Sequence, residues 1–176
     1  MRTVIVYESL YGNTHEVAAR LAEAAQARGE VALVPVSQAG PDLLVGADLV
    51  MVGGPTHAHG MSRPSTRSQG VRQAVEHGQP ALDPDAEGNG LREWFDTLAP
   101  ADGVWSVAFD TRMEGSALLT GRASKGIASR LAAHGLRLVA PPESFLVDHQ
   151  NHLEPGEGDR ARSWADTVLH QVMART

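Results

Sequence analysis

Six consecutive residues near the amino end, Ser9, Leu10, Tyr11, Gly12, Asn13 and Thr14, offer two aliphatic hydroxyls, a phenol, an amide and a glycine. They separate an apolar run at 3–7 from a helical stripe of Val17, Leu21 and Ala24, so they sit where a helix begins. Unpaired backbone N–H groups at a helix start point outward and carry partial positive charge, which holds a phosphate without any lysine or arginine. This segment has neither. The competing reading is local: Asn13 and Glu16 form a capping box while Ser9 and Thr14 satisfy the turn.

Two later segments add to this chemistry. In 53–60, Gly53 and Gly54 permit close backbone approach to a flat ligand, and Pro55, Thr56 and His57 follow them. In 110–115, Asp110, Thr111 and Arg112 precede Met113 and Glu114. Imidazole and thioether are flat or polarizable surfaces, so His57 and Met113 can lie against a ring. Alternatively, His57 is a turn residue bonded to backbone and Met113 folds onto the core. His57 is expected to titrate near 6.5. Arg112 either stabilises negative charge on a ligand or pairs with Glu114.

Other chemistries lack their residues. The chain has no cysteine, so disulfides, thiolate metal sites and thiol catalysis are out of reach. It contains neither a Gly-x-Ser-x-Gly elbow nor a Gly-x-x-x-x-Gly-Lys-Ser/Thr loop. The pairs His57 and His59, or His149 and His152, lack a matching set of spaced carboxylates, and no metal site is expected. No side chain is assigned a catalytic role; redox chemistry would come from a bound cofactor.

The elements that must position these loops alternate. Residues 3–7, 31–36, 48–54 and 103–110 read as short buried strands. A fifth strand falls within 136–147, where Pro141 and Pro142 point to a bulge or an edge position. Helical stripes comprise Leu91, Trp94, Phe95 and Leu98; Ile127, Ala128, Leu131 and Ala132; and a last helix over 157–173. Strand and helix alternation predicts an α/β fold with a doubly wound five-stranded parallel sheet, order 2-1-3-4-5, and helices on both faces. Ligands in such sheets bind beyond the strand carboxyl ends. The 176 residues fit a single domain over 1–176, with a loop-rich insertion at about 61–88 that holds at most a weak helix around Val71 to Val75.

In these loops the chain resembles the flavodoxins, whose first loop reads Ser or Thr, any residue, Thr, Gly, any residue, Thr. Residues 9–14 depart from that pattern only at Tyr11, and a tyrosine there is also found in flavodoxin-like quinone reductases. The resemblance spans essentially the whole chain. It implies a flavodoxin-like fold and non-covalent FMN, with Ser9 to Thr14 at the phosphate and Pro55, Thr56, His57, Asp110, Thr111 and Arg112 around the ring. Flavodoxins usually stack a tryptophan or tyrosine on the flavin from the second and third loops; here neither loop has one.

The resemblance implies an electron carrier that works with redox partner proteins, a reductase and an acceptor, in preference to a self-sufficient enzyme. The alternatives are an NAD(P)H:quinone reductase-like flavoenzyme acting on a small quinone, in which Arg63, Arg67 and Arg72 attract a nicotinamide phosphate, and a binding module that has lost FMN. A net charge of -6 argues against a nucleic-acid surface. No stretch has the roughly 18 apolar residues of a membrane span, so no membrane insertion is expected, and the location expected is cytoplasmic.

Overall fold

A computed structural model describes residues 1–78 and 80–175. The chain runs β1 (Arg2–Tyr7), α1 (Asn13–Gln26), β2 (Glu30–Pro35), β3 (Leu49–His57), β4 (Gly60–Met61), α2 (Pro64–His77) and α3 (Leu91–Thr97). It continues through β5 (Trp105–Met113), α4 (Ala117–Thr120), α5 (Ala123–Ala133), β6 (Arg137–Leu138), β7 (Glu143–Val147) and α6 (Glu157–Met173).

The strands form a parallel sheet in the order β2-β1-β3-β5-β6, with β7 also paired to β5. Pro141 and Pro142 fall between β6 and β7 and divide the expected fifth strand in two, because proline cannot donate to the ladder. Taken as one broken edge strand, β6 and β7 restore the order 2-1-3-4-5. The two-residue β4, antiparallel on the end of β3, is an addition.

Alternate residues of the central strands feed two cores. Ile5, Tyr7, Leu49, Met51, Val107 and Phe109 pack under α1 and α6. Val4, Val6, Val50, Val52 and Ala108 pack under α3 and α5. Burial on both faces is why these strands read as continuous apolar runs rather than alternating ones. Gly53 sits where a Cβ would lie 2.1 Å from the Phe109 ring, so β3 and β5 approach closely just below the loops.

The 61–88 segment is more regular than its composition predicts. The helix α2 occupies 14 of its residues, with Pro64 at its first position and Gly78 (φ 65°) ending it, both favoured at those places. It buries only Gly70 and Ala74, so its apolar periodicity is weak. Gly70 lies against the first loop, and Tyr11 Oη donates to its carbonyl at 3.2 Å. Beyond α2, Asp83 N–H donates to Leu10 O at 2.9 Å, and His15 Nδ1 lies 3.1 Å from Asp83 Oδ2. The Tyr7 phenol donates to Asp85 at 3.1 Å; burial and the Asp85 and Asp83 carboxylates push its pKa well up.

Candidate functional site

The first loop hands β1 over to α1 at Gly12, which takes the left-handed conformation (φ 89°), and no side chain caps the helix. The capping box does not form. Asn13 Nδ2 reaches instead to Asn151 O at 2.9 Å, and Glu16 lies 3.9 Å from Arg20. Ser9 Oγ accepts the Gly12 N–H at 3.1 Å, which shapes the turn. An uncapped amino end of a 14-residue helix at the carboxyl edge of the sheet is suited to an anion.

The loops after β1, β3 and β5 converge there. Thr14 Oγ1 and Thr111 Oγ1, both buried, lie 2.7 Å apart and tie the first loop to β5. Together the three loops form a cleft lined by Ser9, Leu10, Tyr11, Asn13, Thr14, Pro55, Thr56, His57, Thr111 and Arg112. Met113 lines it too, as do Val147 and Asn151, which sequence reasoning passed over. Asn151 belongs to the loop after β7 and holds a left-handed backbone (φ 62°). An asparagine in a polar loop beyond the fifth strand was the available signal, since asparagine tolerates that conformation.

Two of the twelve predicted residues lie elsewhere. Gly12 lines an adjoining depression beside Arg20 and Glu154. Asp110 is fully buried, and its Oδ2 accepts the Ser124 N–H at 2.6 Å, so it caps the amino end of α5 rather than lining the cleft. Thr56 shares that work, accepting the Ala123 N–H at 2.9 Å.

The electrostatics of the cleft are those of donors in search of acceptors. Arg112 Nη1 donates to Met113 O, Gly115 O and Thr120 Oγ1 at 2.9–3.1 Å. It does not pair with Glu114, which lies 3.5 Å from His149. Arg112 Nε and Asn151 Nδ2 are buried without an acceptor among the described residues. Buried donors are normally paired, so these two fit a ligand bearing oxygen acceptors. Burial lowers the His57 pKa below its usual 6.5; the Glu8 carboxylate opposes this and the Arg67 guanidinium adds to it. Burial therefore favours the neutral imidazole of His57, which titrates lower than residue type alone predicts.

Residues 4–66 match the model of the flavodoxin domain. No curated protein matches the chain by sequence. Oxidised flavodoxin 1 from Bacillus cereus superposes with a TM-score of 0.67 at 14% identity, over 100% of this chain and 99% of that one. The chain has the flavodoxin-like fold. A flavodoxin from the domain Archaea agrees with it equally fully, at a TM-score of 0.64 and 15% identity, over 98% of this chain and 99% of that one. Rubredoxin oxygen:oxidoreductase from Desulfovibrio gigas carries the same fold as part of a longer protein, with a TM-score of 0.65 and 19% identity over 99% of this chain and 36% of that one. At these identities the likeness is one of fold. No helix among the described residues is long and apolar enough to cross a membrane.

Proposed function

We propose that this flavodoxin-like chain binds FMN non-covalently in the cleft and serves electron transfer between redox partner proteins. The observation that carries this reading is the uncapped start of α1, opening into a cleft built by the loops after β1, β3 and β5. Asn13 and Thr14 would hold the phosphate, with Ser9, Leu10, Tyr11 and Gly12 shaping the turn. Pro55, Thr56, His57, Thr111, Arg112 and Met113 would surround the ring, with Asp110 tying β5 to the start of α5. When bound, FMN supplies one- and two-electron chemistry, and the protein supplies orientation and electrostatic tuning. Arg112 favours negative charge on the ligand. His57 presents an imidazole surface where flavodoxins usually offer an aromatic ring. The exposed Met113, Leu118 and Leu119 give a partner an apolar surface beside the cleft.

The chain as a single domain belongs to the same reading. Titration of the protein with FMN tests it. Flavin fluorescence is expected to be quenched with saturation at micromolar FMN, and anaerobic reduction followed by absorbance separates one-electron from two-electron behaviour. Absence of quenching at micromolar FMN would sink the flavin function and favour a flavodoxin-fold binding module. Turnover of a small quinone with NAD(P)H alone would instead favour the reductase. Of the arginines that would serve that enzyme, Arg67 is bound to Ser62 and Glu93 and shares one depression with Arg72 and Glu87, while Arg63 lines a different one.

A further inference from the structure

His57 is a wall shared by two cavities. On its other side lies a second cavity, lined by Ala58, His59, Gly60, Met61, Arg63, Ser65, Thr66 and Arg92. In a chain of net charge -6, this cavity has two arginines and two histidines in its walls and no carboxylate.

Neither arginine is neutralised. Arg92 Nε and Nη2 donate to the carbonyls of Ser62 and Met61 at 2.8 and 3.1 Å, which fixes the guanidinium but leaves its charge without an anion. Arg63 is exposed and forms no ion pair among the described residues. Nearby carboxylates are engaged elsewhere. Glu8 accepts from Ser62 Oγ and from Leu91 N–H, and Glu93 accepts from Arg67 and Gly90 N–H. The Arg63 guanidinium and the remaining Arg92 Nη1, in a wall without a carboxylate, match the oxygens of a carboxylate or phosphate.

The backbone of this wall is held in an unusual shape. Ala58 and His59 both have positive φ, 45° and 71°, which side chains other than glycine seldom adopt. His59 bridges to Gly121, where a Cβ would come within 2.2 Å of His59 Cα. The turn is thereby locked between the two cavities.

We infer that this cavity binds the oxyanion group of a small molecule, a phosphate or a dicarboxylate, whose remainder reaches the cleft past His57. Its role as a substrate subsite rests on the FMN reading; the binding itself does not. The test is titration of the isotope-labelled protein, with and without FMN, with inorganic phosphate and with malonate, following backbone amides and arginine Nε–H signals by NMR. Saturable shifts at Arg63, Arg92 and His59 to Thr66 are expected. The tighter of the two probes identifies the class. Arg63→Gln should weaken binding roughly tenfold, as loss of a charge-assisted bond does, while Arg72→Gln leaves it unchanged. Shifts confined to Asn13–Glu16, equal affinity in Arg63→Gln, or no saturable shift would each overturn the inference. Failure of FMN to bind would leave the Arg63 and Arg92 shifts intact, so the two readings fail separately.

Discussion

Thr14 and Thr111 show how much one atom carries at this site. Their hydroxyls pair at 2.7 Å, so Thr14→Val keeps the shape and leaves Thr111 Oγ1 buried without its partner. A loss of about 1–3 kcal/mol in stability is expected from the unpaired group, checked by urea unfolding, together with roughly tenfold weaker FMN binding by fluorescence quenching if the hydroxyl serves the phosphate. His57 makes a prediction about pH. Its pKa is lowered by burial in the folded state, so between that value and 6.5 the unfolded chain holds more protons. The contribution is complete above 6.5 and lost as pH falls through the folded pKa. His57→Gln should flatten this dependence in urea midpoints between pH 7.5 and 5, and an unchanged slope would refute it. That ten of the twelve expected residues line the candidate cleft was legible because each loop follows a strand whose end faces the crevice. Asp110 was not: residue type shows that a carboxylate stands on the rim, but only the register of β5 against α5 turns it toward Ser124 N–H.

At the scale of elements, strands and helices with strong periodicity could be read directly. The strand β3 runs past its predicted end through Pro55 and Thr56 to His57, because pairing of Gly54 with Asp110 and Pro55 with Thr111 extends the ladder into the loop. No local pattern announces that. The helix α2 was legible only as a weak stretch around Val71 to Val75, since a helix that buries two small residues leaves little apolar periodicity to find. The turn between β3 and β4 depends on a distant glycine. Gly121 combines positive φ (78°) with backbone contact to His59, so Gly121→Ala is strained twice over. It should cost about 1–3 kcal/mol and displace the 57–60 turn, read by unfolding and by the amide shifts of His57 to Gly60. A stability at or above that of the parent would refute the contact.

For the whole molecule, one sheet serves two cores. Trp94 lies in the core under α3 and α5, and Trp164 packs beside Phe145 in the other. Because β1, β3 and β5 send alternate residues to both, neither face can be lost alone. Urea unfolding followed by far-UV circular dichroism, and by fluorescence in Trp94→Phe and Trp164→Phe variants, is expected to give coincident midpoints; separated midpoints would mean that the faces melt independently. The proline pair between β6 and β7 bears on how such molecules meet one another. An outer strand with a full row of free N–H and C=O groups is a template for another chain. Here that border is cut into lengths of two and five residues, and the opposite border, β2, ends at Pro35. On the β6–β7 side no long unbroken run is left on which a neighbour could extend the sheet, so crowding these molecules together should not zip them along that edge.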